Sequence, residues 1–175
     1  ARSVATHPDL FLADEPVSAL NVSVQATILN LLAELQIEHD TAMLFIAHDI
    51  AVVGYLADRI AVMYLGQMMQ QGPAETIFDP PYHPYTEALL SAVPPPDPFV
   101  KQEHIRLSGE VPSAADPPSG CPFHTRCPRF LGDICVEQVP PWRETQDGKA
   151  IYCHIPIEEL EAAQSPVLRF NGEGD

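Results

Sequence analysis

The sequence predicts an α/β fold in which a parallel sheet is flanked by helices and followed by a small, cysteine-rich, loop-rich module. Two short apolar runs, residues 10–13 and 43–47, each end at polar residues and are separated by an amphipathic stretch. Such runs are typical of buried parallel strands, which need a connecting helix. After residue 79 prolines become frequent and all four cysteines appear, which indicates loops instead of a regular sheet.

Composition excludes some classes of function. Acidic residues outnumber basic ones by 24 to 9, which gives a formal net charge of −15. Such a surface repels nucleic acid and anionic lipid headgroups, so no nucleic-acid partner is expected. No apolar stretch approaches the ~20 residues of a membrane-spanning helix, and the start of the chain does not read as a signal peptide. Membrane contact is therefore expected only through a partner.

The first apolar run ends at two adjacent carboxylates, Asp14 and Glu15. Ligands of open α/β sheets bind just beyond the carboxyl ends of the strands, so these side chains are expected at the active edge. One carboxylate can hold the water shell of a Mg²⁺ ion while the other orients or deprotonates an attacking water, as phosphoryl transfer requires. An isolated acidic pair is more often a solvated surface feature. The interpretation as an active edge therefore depends on what the neighbouring strand brings to it.

The second apolar run ends at His48, which brings an imidazole to the same predicted sheet edge. An imidazole can donate to a terminal phosphate or hold a water molecule. Between the strands a helix is predicted over residues 22–37, and Gln25 on it is expected to be a surface residue. Its apolar stripe at helical spacing is predicted to face the core and consists of Val24, Ile28, Leu31, Leu32 and Leu35.

The pattern continues with shorter elements. Residues 59–64 and 67–71 predict an antiparallel pair, because only a tight turn near Gly66 separates them. Tyr82, His83 and Tyr85 are expected to pack and to cap, and proline-rich residues 94–98 predict a stiff linker at a domain boundary. The remaining predicted elements are a strand over 41–47 and helices over 49–57, 74–78 and 84–92.

The order of these strings resembles that of the ATP-binding subunits of ABC transporters. Residues 10–15 resemble the Walker B motif, residues 18–21 the D-loop, and His48 the switch histidine. The resemblance extends over about residues 1–157 and implies the C-terminal part of a P-loop NTPase. Further strings resemble the oligopeptide and dipeptide importer branch and lie at residues 59–66, 72–73, 77–78, 83–90, 107–112 and 120–128.

The resemblance implies a subunit that hydrolyses ATP, with Mg²⁺, to power peptide import. It assigns Mg-ATP binding to Asp14, catalysis to Glu15 and His48, and the interface between two nucleotide-binding subunits to Asn21. Asn21 departs from the Asp that is usual in the family and lacks its charge. The implied partners are a second, identical or paralogous nucleotide-binding subunit, transmembrane permease subunits and, indirectly, a periplasmic or extracellular substrate-binding protein. The implied location is peripheral, at the cytoplasmic face of the inner membrane.

Motifs that bind the nucleotide in this family are absent from the 175 residues. No stretch fits the phosphate-binding P-loop, and neither the Q-loop nor the signature motif is present. Gly148-Lys149 lacks the following hydroxyl residue and has Arg143 where the first glycine should stand. The chain is therefore expected to be the C-terminal portion of a longer subunit that neither binds nor hydrolyses ATP alone.

The four cysteines lie within 33 residues and need a separate explanation. They are Cys121, Cys127, Cys135 and Cys153. Two disulfides, a zinc ion and a four-iron four-sulfur cluster are all chemically possible. Reducing conditions in the cytosol argue against disulfides, and the spacings are wide for zinc. The importer family carries a cysteine-bearing extension of this kind, and the resemblance connects it in some members with such a cluster.

These interpretations predict three segments. Residues 1–92 form the C-terminal part of the nucleotide-binding domain, residues 93–157 the cysteine-rich extension, and residues 158–175 a disordered tail. An alternative hypothesis makes the chain a non-catalytic regulatory or metal-binding module of such an assembly, and a third makes it a truncated product without activity. An in-frame P-loop upstream would favour the ATPase hypothesis.

Overall fold

The computed structural model describes residues 8–94 and 104–167. The chain divides between Ala57 and Asp58 into two compact units. The first unit contains a parallel strand pair and two helices, and the second is built on an antiparallel sheet. The predicted α/β class is therefore confirmed. The predicted linker residues from 95 to 98 lie outside the described residues.

The first unit has the order β1 (Leu10–Asp14), α1 (Val22–His39), β2 (Ala42–Ile46) and α2 (Ile50–Leu56). The strands pair in parallel, with Leu10 opposite Ala42 and Asp14 opposite Ile46. The helical crossover α1 makes this pairing possible, because parallel neighbours cannot be joined by a tight turn. Both strands consequently end at the same edge, as the sequence predicts.

Only one face of the β1–β2 pair is packed against α1. Phe11 and Met43 line a small apolar pocket together with Leu32 and Leu35 of the helix. On the opposite face the apolar side chains are about half exposed, namely Leu10, Leu12, Leu44 and Ile46. The apolar runs predict strands buried on both faces, and this prediction is wrong for the chain as described, because nothing in the described part of the first unit covers the second face.

Helix α1 begins and ends at polar caps. The Asn21 side chain accepts the Val24 N–H at 3.2 Å, and Asp40 closes the helix in a left-handed conformation with φ 49°. The predicted stripe is only partly correct, since the buried helix residues are Leu29 and Leu32. Apolar residues occur on several sides of α1, so periodicity alone could not identify the side that is packed.

The second unit contains one four-stranded antiparallel sheet in the order β3-β4-β6-β5. Its strands are β3 (Arg59–Tyr64), β4 (Gln67–Pro73), β5 (Trp142–Glu144) and β6 (Ala150–Tyr152). The β3–β4 connection is a two-residue turn in which Leu65 and Gly66 both have positive φ, at 47° and 77°. That is the geometry of a type I′ hairpin, which matches the twist of the strands. The predicted hairpin is confirmed.

The described part of the second unit also contains short helices. They are α3 (Ala74–Ile77), α4 (Pro84–Ser91), α5 (Asp133–Glu137) and α6 (Ile157–Ala163). His83 caps α4 by accepting the Tyr85 N–H at 3.0 Å, and Tyr82 is fully buried, which confirms the packing and capping roles. The prediction of a disordered tail from residue 158 is wrong for its first residues. They belong to α6, which is held in place by the fully buried Leu160. Residues 168–175 lie outside the described part of the chain.

The cysteine-bearing segment is not a separate module in the described residues. Strand β6 pairs with β4, with Gln70 opposite Ile151. One core cluster joins Tyr64 and Met69 of the β3–β4 hairpin to Cys121, Phe123 and Tyr152. The predicted boundary near residue 92 therefore falls inside the second unit. The pairing of β4 with β6 joins the segments on either side of that boundary. Local sequence patterns cannot reveal a pairing between residues so far apart.

Candidate functional site

The side chains of Glu15 and His48 meet at the carboxyl ends of the parallel strands. Nδ1 of His48 lies 3.2 Å from Oε1 of Glu15. A carboxylate oxygen only accepts hydrogen bonds, so the imidazole N–H is the donor. The side chains are 69% and 48% exposed, which leaves both accessible to a ligand. An acid and an imidazole 33 positions apart in the sequence are thus brought together at one rim.

The register of the two strands explains this meeting. Asp14 is opposite Ile46, and the next N–H, that of Glu15, donates to the Ile46 carbonyl at 2.9 Å. Glu15 then turns out of the strand with φ 44°. This left-handed conformation is uncommon for a residue with a side chain and is often found at functional sites. Asp14, the last residue of β1, is exposed beside it.

A short loop, residues 15–21, connects Glu15 to helix α1 and is tied by hydrogen bonds. The Glu15 carbonyl accepts the Ser18 hydroxyl at 3.1 Å and the Ser18 N–H at 3.3 Å. The Val17 carbonyl accepts the side-chain amide of Gln25 at 3.0 Å. Gln25 is therefore half-buried and bonded, not a plain surface residue as predicted. Its sequence context offers no signal for this contact.

Asn21 occupies the N-cap of α1, where its side chain bonds the Val24 N–H. Asn and Asp are about equally good at this position. The departure from the family's Asp therefore preserves the local fold of the loop. Its predicted place at a subunit interface stays a prediction.

Lys149, the only lysine that follows a glycine, is used inside the fold. Its ammonium group donates to the carbonyls of Asp79, Thr76 and Pro80 at 2.8 to 3.2 Å and pairs with Asp147 at 3.0 Å. The side chain is fully buried. A lysine held in this way cannot also bind the phosphates of a nucleotide, which agrees with the view that Gly148-Lys149 is not a P-loop.

The four cysteines are unpaired thiols gathered in the second unit. The Cys121 N–H donates to the Cys135 carbonyl at 2.9 Å, which brings these two backbones together. Burial raises the pKa of the Cys121 thiol to about 11 and that of Cys127 to about 12, and it also raises the pKa of Cys153. Neighbouring cysteines raise all three pKa values further, so the thiols of Cys121, Cys127 and Cys153 are neutral at pH 7.

The described residues do not offer a site for a single metal ion. Among them no group of three or more His, Cys, Asp or Glu side chains is arranged to hold one. The two histidines beside the cysteines form hydrogen bonds with backbone carbonyls instead. His124 bonds the carbonyl of Cys121 at 2.8 Å, and His154 bonds the carbonyl of Gln138 at 3.0 Å. The zinc interpretation therefore does not fit this arrangement, and the prediction of a metal site at these cysteines gains no support from the structure.

Comparison with known proteins agrees with the motifs. Residues 69–135 match the family described as the oligopeptide/dipeptide transporter C-terminal region. The chain is 51% identical over 166 residues to the probable peptide ABC transporter ATP-binding protein y4tS of Sinorhizobium fredii, which covers 95% of this chain and 47% of that protein. It is 50% identical over 157 residues to the oligopeptide transport ATP-binding protein AppF of Bacillus subtilis, which covers 89% of this chain and 47% of that protein.

The predicted resemblance is therefore confirmed. The chain is a homologue of ABC transporter ATP-binding proteins, and the matched C-terminal region is that of the oligopeptide/dipeptide branch. The chain spans about half the length of the curated relatives it matches. In the part of the chain that the structure describes, no helix combines the length and apolar character needed to cross a bilayer.

Proposed function

We propose that the chain is the C-terminal part of the ATP-hydrolysing subunit that powers peptide import by an ABC transporter. The observation that carries this proposal is the 3.2 Å contact between Glu15 and His48 at the ends of two parallel strands. The names of the relatives, which are ATP-binding proteins for peptide or oligopeptide transport, support it. They do not favour the alternative of a non-catalytic regulatory module.

The roles of the residues follow from their chemistry in the complete subunit. Asp14, exposed at the end of β1, would hold a Mg²⁺ ion through its water shell, and the ion would neutralise charge on the phosphates. Glu15 would orient and polarise the attacking water. His48 donates to Glu15 through Nδ1, so Nε2 would donate to the terminal phosphate in the imidazolium form, in which both ring nitrogens carry a proton.

The remaining half of the complete subunit would supply the phosphate-binding loop that these 175 residues lack. It would also cover the exposed apolar face of β1 and β2, where Leu10 and Leu12 are about 60% exposed. The chain alone should then show no saturable ATP binding in a calorimetric titration. A micromolar dissociation constant for the isolated chain would contradict this part of the proposal.

The assembly implied by this function has several partners. The subunit would pair with a second nucleotide-binding subunit, with Asn21 at the contact, and would dock on transmembrane permease subunits at the cytoplasmic face of the membrane. A substrate-binding protein on the other side would deliver the peptide. A strain that lacks the complete subunit should lose uptake of a labelled tripeptide and regain it when the gene is restored.

The decisive test of the ATPase role is a single substitution in the complete subunit. Glu15→Gln should reduce turnover at least about a hundredfold while ATP binding is retained, because the amide can no longer polarise the water. Glu38→Gln, an exposed position in α1, is the matched control and should hydrolyse ATP at the wild-type rate. Wild-type turnover in Glu15→Gln would refute the assignment.

We also propose that the four cysteines ligate a four-iron four-sulfur cluster in the complete subunit. A cluster separates its ligand sulfurs more widely than one zinc ion does. The proposal rests on the positions of the cysteines, since Cys127 packs against the core cluster that contains Cys121 and the Cys121 N–H donates to the Cys135 carbonyl. Anaerobically purified protein should be brown and contain about four iron and four sulfide per chain. A colourless protein without iron, after an attempted reconstitution, would contradict this proposal.

A further inference from the structure

We propose that Gln25 is a positioning residue for ATP hydrolysis, because its amide holds the backbone of the loop that carries Glu15. This inference rests on the proposed function of Glu15 and His48. Gln25 lies one turn into α1 and does not contact either side chain in any hydrogen bond of the described residues. Its effect on the reaction would therefore be transmitted through the loop.

Two backbone carbonyls accept hydrogen bonds that hold the loop between Glu15 and Asn21. The Glu15 carbonyl accepts two hydrogen bonds, both from Ser18. The Val17 carbonyl also accepts two, from the Leu20 N–H at 3.1 Å and from the Gln25 amide at 3.0 Å. Each carbonyl thus has its lone pairs occupied, and Gln25 provides the bond that comes from outside the loop.

The bond from Gln25 lies in a buried part of the first unit, where an unpaired carbonyl is costly. The Val17 side chain is 3% exposed, so its backbone lies close to the packed interior of the first unit. Without Gln25 the Val17 carbonyl keeps the Leu20 N–H as its partner, but one of its two acceptor sites is left unpaired or the loop moves to pair it. Glu15 is two residues away and is held in a strained conformation at φ 44°, which only the surrounding contacts can maintain.

The chemical consequence is a change in rate and not in nucleotide affinity. Glu15 must stand within hydrogen-bond reach of the attacking water, and a displacement of about 1 Å at such a group can cost up to about a hundredfold in rate. Gln25 does not belong to the groups proposed to contact the nucleotide. Its loss should therefore lower kcat and leave the KM for ATP nearly unchanged.

The test uses the complete subunit in its assembled transporter and two variants that cannot make the bond. Gln25→Met keeps the length of the side chain without the donor, and Gln25→Asn keeps the amide but is one methylene too short. Both should lower kcat about tenfold, with KM for ATP changed less than about twofold. Gln25→Lys restores a donor of sufficient reach and should recover most of the wild-type kcat.

Controls separate this proposal from the function on which it depends. Glu34→Met, at an exposed position in the same helix, should leave kcat unchanged. Full turnover in Glu15→Gln would refute the ATPase function itself. Loss of turnover in Glu15→Gln together with a wild-type kcat in Gln25→Met and Gln25→Asn would overturn only the positioning role. A low kcat that Gln25→Lys fails to relieve would overturn it as well.

Discussion

The two compact units differ in where their polar and apolar side chains lie. In the first unit the polar pair Glu15–His48 is exposed, and half of the apolar strand surface is exposed with it. In the second unit Glu87 and Lys149 are buried and fully engaged in hydrogen bonds, and the sheet lies over closed apolar clusters. The first unit therefore exposes its candidate reactive groups to a ligand, whereas the second unit uses its charged groups to stabilise its own fold.

The buried network of the second unit is the clearest part of this contrast. Arg129 forms a two-pronged ion pair with Glu87, with N···O distances of 2.8 and 2.9 Å, and Gln164 donates to the same carboxylate at 2.8 Å. The side-chain amide oxygen of Gln164 in turn accepts the Tyr82 N–H at 2.8 Å. One polar chain thus connects α4, the segment after Cys127 and the end of α6.

The largest expected effect on stability is at Gly120 in the second unit. Its φ is +66°, and an added Cβ would overlap the backbone carbonyls of Cys135 and Val136. Gly120→Ala should therefore lower the free energy of unfolding by about 4 kcal/mol. Gly66→Ala is the control, because that glycine also has positive φ but open space around it, and it should cost about 1 kcal/mol. Equal losses in urea titrations would contradict the close approach.

The ion pair should have the next largest effect. Arg129→Met keeps most of the aliphatic length but leaves the buried Glu87 carboxylate without its cation, which should cost about 3 kcal/mol. The urea transition of the second unit measures this loss. Arg106→Met, at an exposed arginine of the same unit, should change the transition by less than about 0.5 kcal/mol. A loss at Arg129 no larger than that at Arg106 would show that the pair contributes nothing.

Acid should destabilise the second unit partly through His83. Burial lowers the pKa of this imidazole from 6.5 to about 3, so the folded chain keeps it neutral. The unfolded chain binds the proton below pH 6.5, and stability present above that pH is lost as the pH falls toward 3. Between pH 6.5 and 4.5 the loss from this group should be about 2 kcal/mol.

The variant His83→Asn isolates this effect, because Asn can still cap α4 but does not titrate. Its free energy of unfolding should fall less steeply with pH than that of the wild type over the same interval. Parallel pH curves for the two proteins would contradict the depressed pKa, whatever the absolute stability of the variant.

The smallest effect is expected on the exposed strand face of the first unit. Leu12 is 59% exposed in β1, whereas Ile151 is fully buried in β6. Leu12→Thr should change the stability of the chain by less than about 0.5 kcal/mol, and Ile151→Thr should cost about 3 kcal/mol. In the complete subunit, where we propose that this face is covered, Leu12→Thr should become clearly destabilising. A large loss at Leu12 in the chain alone would contradict the exposed face.

The same contrast explains what the sequence could predict. The strands, α1 and the Glu15–His48 meeting follow from local apolar runs and from the rule that parallel strands end at one edge. The ion pair between Glu87 and Arg129 joins residues 42 positions apart, and no local pattern announces such a contact. The bond from Gln25 to Val17 is unpredictable for a related reason, since an amide on a helix looks the same in sequence whether it faces solvent or a backbone carbonyl.

The direct test of the central claim is a double-mutant cycle on the pair at the strand ends. The ATPase rates of Glu15→Gln, His48→Ala and the double variant are measured in the complete subunit. Because the two side chains act together on one phosphoryl group, the double variant should be no slower than about the slower single variant. Rate losses that multiply would show that Glu15 and His48 act independently and would contradict the account.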